Sequence, residues 1–149
     1  MSHKQSLCRV VRNTLFSLLL LSGCDVEVSH DDVVLVAPVD HGALFITATL
    51  VPPNSTSLGH LAFRGDVDAF RIDLLVAGTL TVQTSGNTDT LGTLSDARGF
   101  VIAVDDDSGI GRNFFIAAFL PPGTYFIEVE GAGCCTTGPY LFVSSFTPF

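Results

Sequence analysis

From residue 43 to its end the chain repeats one pattern: apolar and polar residues alternate at a period of two, then turn-forming residues interrupt them. Phe70, Ile72 and Leu74 alternate with Arg71 and Asp73, and Leu80 and Val82 with Thr79, Thr81 and Gln83. Tyr125, Ile127 and Val129 alternate with Phe126, Glu128 and Glu130. Successive side chains of a strand point to opposite faces, so this spacing describes strands with one buried face. The interruptions are Pro52-Pro53-Asn54, Gly78, Ser85-Gly86-Asn87-Thr88-Asp89, Asp96-Ala97-Arg98-Gly99 and Pro121-Pro122-Gly123. These residue types set turns through fixed φ, positive φ or side-chain hydrogen bonds to the backbone. Further strands are expected at 43–51, 90–95, 100–104 and 140–146, with an edge strand near 33–37. Residues 113–120, apolar on both faces, read as an interior strand. No stretch combines a 3.6-residue period with helix caps. About eight short strands spaced by turns define an all-β chain, a jelly-roll-like antiparallel β-sandwich.

The first 24 residues are of another kind, and such segments are set aside before fold reasoning. Lys4, Arg9 and Arg12 form a positive stretch, and residues 15–21 form a short apolar run. That run falls well below the roughly 20 residues that span a bilayer. Leu21-Ser22-Gly23-Cys24 resembles the lipobox of bacterial lipoproteins. The resemblance implies cleavage before Cys24, a lipid on its sulfur (diacylglyceryl, with palmitate among the acyl groups) and a place in the bacterial cell envelope. Asp25 after the lipidated cysteine tilts the choice toward the inner membrane. The expected organisation is a signal peptide over 1–23, an acidic tether over 24–42 and a β-sandwich over 43–149.

Cleavage there leaves 126 of the 149 residues, without lysine, and with four arginines against all fifteen carboxylates, a formal −11. Such a surface repels nucleic acid, which needs a basic face, and also anionic lipid. The expected membrane link is therefore the covalent lipid. It favours cations, calcium included. Of the four cysteines, Cys8 leaves with the signal and Cys24 takes lipid, so Cys134 and Cys135 remain. As chain neighbours they make no disulfide framework; a strained disulfide between them, pairing between molecules, or two residues of a turn are the open readings.

Gly65-Asp66-Val67-Asp68-Ala69-Phe70-Arg71-Ile72 resembles the Gly-Asp-x-Asp-aromatic segment of bacterial pre-peptidase C-terminal domains. Ala77-Gly78-Thr79-Leu80, Asp89-Thr90, Asp105-Asp106-Asp107-Ser108-Gly109, Leu120-Pro121-Pro122-Gly123-Thr124-Tyr125 and Gly138-Pro139-Tyr140 continue it in order over about residues 58–146. The resemblance implies a compact β-sandwich that accompanies secreted peptidases without being catalytic. Its relatives in collagenases bind collagen, and some hold calcium between an acidic N-terminal linker and the Asp-x-Asp segment. In this chain the expected partner of the module is a lipid anchor in place of a peptidase domain.

The candidate cation ligands are Asp66 and Asp68, which Glu27, Asp31 and Asp32 of the tether would join, and the cluster Asp105, Asp106, Asp107. Clustered carboxylates offer the oxygen ligands calcium takes, six to eight of them. The cluster is not an EF-hand loop, since Gly109 and Ile116 fall where ligands belong. Solvated turn aspartates are the alternative, and for Asp68 a turn cap or an ion pair with Arg71. His30, His41 and His60 lack metal-site spacing and read as solvated or turn residues. No Gly-x-Ser-x-Gly nucleophile motif and no phosphate-cradling loop occurs. The expected function is a non-catalytic, lipid-anchored envelope module that binds a protein or polysaccharide, with calcium as a structural ion. The alternatives are a purely structural spacer and a small hydrolase using carboxylates.

Overall fold

The alternation becomes two packed sheets. The computed structural model describes residues 41–133 and 135–149. Its strands are β1 (Thr49–Leu50), β2 (Ser55–Leu61), β3 (Val67–Leu74), β4 (Gly78–Ser85), β5 (Thr90–Asp96), β6 (Val101–Asp105), β7 (Phe115–Leu120), β8 (Gly123–Gly131) and β9 (Gly138–Pro148). No helix occurs among the described residues. One sheet runs β1-β3-β8-β5-β6 and the other β2-β9-β4-β7. Every pair is antiparallel except β1 with β3. With β1 set aside, the first of the eight remaining strands pairs with the last and the second with the seventh. That is the strand order of a jelly roll, two Greek keys folded together.

The predicted inward residues form the core. Phe70, Ile72 and Leu74 of β3 and Ile127 and Val129 of β8 face Leu80 and Val82 of β4 across the sandwich, all buried. Phe70 of one sheet stacks on Phe142 of the other, with ring centroids 4.1 Å apart and planes 5° off parallel. Each such side chain contributes about 1.5–3 kcal/mol by leaving water. Close approach also fixes Gly92, where a Cβ would stand 2.4 Å from the buried Phe114 ring.

Three expectations about strands are corrected. The apolar run 43–51 is not one strand. Thr47 N–H donates to the Leu44 carbonyl and its hydroxyl bonds the same residue, closing a turn that leaves only Thr49–Leu50 extended. The turn lets Phe45 stack on Phe126 over the outer face of the five-stranded sheet, centroids 4.4 Å apart. Residues 113–120 do not form an interior strand: β7 is the edge of its sheet and exposes Phe115 and Phe119. The third is an omission, β2, whose Ser-Thr-Ser-Leu-Gly-His-Leu sequence hides its pattern. The signal peptide, the lipidation at Cys24, the tether acids Glu27, Asp31 and Asp32, His30 and the strand near 33–37 lie outside the described residues.

Candidate functional site

Strand register brings four connections to one end of the sandwich. Val67 opposes Glu130, Thr90 opposes Gly131, Gly92 opposes Asp105, and Leu61 opposes Gly138. The connections β2–β3, β4–β5, β6–β7 and β8–β9 therefore lie together. Ala132 N–H donates to the Asp89 carbonyl at 3.1 Å, Thr90 N–H to the Arg112 carbonyl at 3.0 Å, and Asn113 Nδ2 to the Gly86 carbonyl at 3.1 Å. Asp66, Asp68, Asp105, Asp106, Asp107 and Cys135 all stand at this end.

Asp68 is fully buried and serves as a hub between the sheets. Its Oδ1 accepts the His41 backbone N–H at 2.7 Å, and its Oδ2 accepts the Tyr140 hydroxyl of β9. The His41 side chain is buried as well, which corrects the reading of a solvated or turn histidine. Its Nε2 lies 2.8 Å from the Leu58 carbonyl of β2 and its Nδ1 2.8 Å from Thr49 Oγ1 of β1. A carbonyl only accepts, so Nε2 carries a proton and donates it; in the neutral ring Nδ1 accepts from the Thr49 hydroxyl. The ring also packs on Phe70, centroids 4.5 Å apart. Burial pushes the Asp68 carboxyl above the usual carboxylate range; the Tyr140 hydroxyl, the His41 amide and the His41 charge pull it partly back, and the Asp66 charge adds to the rise. Arg71 does not pair with Asp68. It forms a two-pronged bond with Asp73, at 3.0 and 2.9 Å.

Asp66 is also buried, and its Oδ2 accepts the Ala62 N–H across the β2–β3 turn. Asp105 accepts three hydrogen bonds, from Ser108 Oγ at 2.6 Å, Phe115 N–H at 2.8 Å and Ser108 N–H at 3.1 Å. Burial raises its pKa, but these donors outweigh it and the net position is below the ordinary value. Asp106 and Asp107 point elsewhere. With Asp89 of the neighbouring connection they bring carboxylate oxygens within 4.8 Å of one another. Burial, then the charges of Asp107, Asp89 and Asp105, raise the Asp106 pKa. The exposed Arg112 approaches Asp89 at 3.5 Å.

What the oxygens of the two candidate groups already bond decides how well each suits calcium. Asp68 has an acceptor bond on each oxygen and no solvent access, and no third described carboxylate converges on Asp66 and Asp68. Asp89, Asp106 and Asp107 offer three converging, accessible oxygens, a donor set of the right chemistry and about half the ligand count a calcium ion takes. The sequence pointed to Asp106 and Asp107; Asp89 was missed because a separate connection delivers it. Cys135 is exposed and its Sγ receives a hydrogen bond from Arg64. Cys134 lies outside the described residues, so the open readings for this pair, a disulfide among them, lie outside them too.

No family model matches the sequence, and no curated protein matches it. Among solved structures the chain is similar to the pre-peptidase C-terminal domain of a collagenase from Bacillus anthracis. The TM-score is 0.56 and the identity 17%, covering 66% of this chain and 94% of that one. It is also similar to a periplasmic lysozyme inhibitor of g-type lysozyme from Aeromonas hydrophila, with TM-score 0.49 and 18% identity, over 67% of this chain and 97% of that one. The first likeness establishes the fold: the chain has the β-sandwich fold seen in that pre-peptidase C-terminal domain.

Proposed function

We propose that the chain is a non-catalytic module of the bacterial cell envelope, held by a lipid on Cys24, which binds a protein or polysaccharide. The observation that carries the non-catalytic part is how the sandwich uses its reactive groups. A hydrolase built on a carboxylate and a histidine would need both at a surface where substrate reaches them. His41 and Asp68 do adjoin, but through the His41 main chain; both ring nitrogens are bonded to Thr49 and Leu58, and both side chains are buried. Three depressions among the described residues are open, of about 400–440 Å³, and lined by residues such as Leu44, Phe45 and Ile46 or Leu50, Pro52 and Leu75. Glu128 and Asp73 stand singly in two of them. Paired carboxyls at glycosidase separation are not assembled there.

Calcium belongs to this reading as a structural ion that steadies the loop end, and Asp89, Asp106 and Asp107 are the residues that would hold it. The test of binding is co-sedimentation of the full chain with insoluble bacterial cell-wall polysaccharide and, separately, with fibrous collagen. Saturable sedimentation with one of them supports the reading. If the chain stays in the supernatant with both, a purely structural spacer becomes the better account.

A further inference from the structure

We propose that the module rests one end of its sandwich, the end opposite the acidic loops, on a lipid bilayer. The proposal rests on the envelope reading, which brings the chain to a membrane through Cys24, and adds which surface then meets the lipid. The register that gathers four connections at the acidic end sends the others to the opposite one. Leu50 lies beside Arg71, Leu74 opposes Gly123, and Gly78 opposes both Leu120 and Pro148. The β1–β2, β3–β4 and β7–β8 connections therefore meet there. Leu50, Pro52, Pro53 and Leu75 line one open depression, Phe149 N–H donates to the Ala77 carbonyl, and the Phe149 ring packs edge-on against Phe119. The apolar side chains of this end protrude: Leu75 is 90% exposed, Phe119 65%, Leu50 63% and Val76 49%. Soluble monomers rarely leave so contiguous an apolar set in water, and such a patch marks a site of contact.

Charge and reach decide for lipid. In a chain of formal charge −8, residues 50–55, 74–79 and 117–124 hold no Asp, Glu, Lys or Arg. The charged side chains nearest this end come in opposite signs, Arg71 paired with Asp73, and Asp96 beside Arg98 in the β5–β6 connection. Asp66, Asp89, Asp105, Asp106 and Asp107 stand at the other end. The length of β3 separates them from it, eight residues or about 26 Å. Salt screens charges beyond about 8 Å, so those carboxylates are not repelled by headgroups under the apolar end. The side chains project from separate turns, and acyl chains close around protruding groups to a depth of about 5–10 Å. The tether reaches far enough. The described chain enters at the acidic end, where the His41 N–H bonds Asp68, and the seventeen residues 24–40 span up to about 58 Å. That is about twice the length of β3, so a lipid on Cys24 and the apolar end can share one membrane. Seated in this way, the module turns Asp89, Asp106 and Asp107 away from the bilayer.

The chain has no tryptophan, so a single introduced one reports alone. The full chain is purified in mild detergent as Leu75→Trp and, for the acidic end, as Ile110→Trp, whose site is 85% exposed. Both positions are exposed turns, so both variants should melt with the parent. Detergent is removed in the presence of phosphatidylcholine vesicles with plain or brominated acyl chains, and flotation reports attachment. In the floated protein, bromine should extinguish most of the Leu75→Trp emission, itself shifted to shorter wavelength, and leave that of Ile110→Trp unchanged. Equal quenching at the two positions, or none at Leu75→Trp, overturns the proposal and leaves the anchor standing. Chains that do not float overturn the anchor reading and the proposal with it.

Discussion

Removing the Asp68 carboxylate with Asp68→Ala orphans two donors at once, the His41 amide and the Tyr140 hydroxyl. Each buried unsatisfied donor costs about 1–3 kcal/mol, while relief of burying a carboxylate returns part of that. A net loss of about 2–4 kcal/mol is expected, which for a domain near 110 residues lowers the melting midpoint by about 10–20 °C. Tyr140→Phe keeps the ring packing and deletes one hydrogen bond to a charged group, about 1.5–3 kcal/mol. Because the two changes remove the same bond, the double variant should lose about 1–2 kcal/mol less than the two singles together. The assay is a thermal melt of all four proteins in excess chelator, so that a cation contributes nothing. If Asp68→Ala moves the midpoint by less than about 3 °C in chelator, or the changes add fully, Asp68 does not hold the sheets together and the hub argument fails.

Asp68 also fixes a sign for pH dependence. Its folded pKa lies above its ordinary value of 3.8, so the folded state binds its proton more tightly than the unfolded chain does. The stability it contributes is full below 3.8 and lost as pH rises through the raised value. Asp68→Asn should therefore flatten denaturant-measured stability across that interval; an unchanged profile refutes the assignment. Asp73 runs the opposite way: the Thr124 hydroxyl, against some burial and with help from Arg71, lowers its pKa, so its contribution fades as pH falls, and Thr124→Ala should lessen that acid loss in the same titration. Gly92→Ala forces a Cβ into the Phe114 ring and should cost about 1–3 kcal/mol in a thermal melt; a neutral outcome would mean the core there yields. Calcium at 100 times its dissociation constant should add about 2.7 kcal/mol to the parent and little to Asp106→Asn/Asp107→Asn. An equal gain in both would remove the loop carboxylates from the calcium account.

Strands with one apolar face were legible because period two survives wherever alternate residues pack, as at Phe70, Ile72 and Leu74 or Leu80 and Val82. The pattern failed at the edges. β2 packs chiefly through Gly59 and Leu61, so its other residues are free to be polar, and a serine-rich strand resembles a turn. The run 43–51 failed in the opposite sense: its apolar residues are consumed by a turn whose Phe45 packs on the outside of the sheet. The acidic end shows the same limit. Asp66 and Asp68 look alike in sequence to Asp106 and Asp107, but the first pair is buried on main-chain and tyrosine donors and the second faces solvent. What separates them is set by residues distant in the chain. Asp68 meets His41 and Tyr140, 27 and 72 positions away, and a separate connection brings Asp89 to Asp106. Nothing local to the motif carries that information.

The claim at the centre of this account, that the module is fastened to a membrane through Cys24, has a direct measurement in cell fractionation. The full chain and its Cys24→Ser variant are expressed in a bacterium and separated into membrane and soluble fractions. The account predicts the parent in the membrane fraction, released by detergent but not by high salt, and Cys24→Ser in the soluble fraction. A Cys24→Ser chain that remains with the membrane would contradict it.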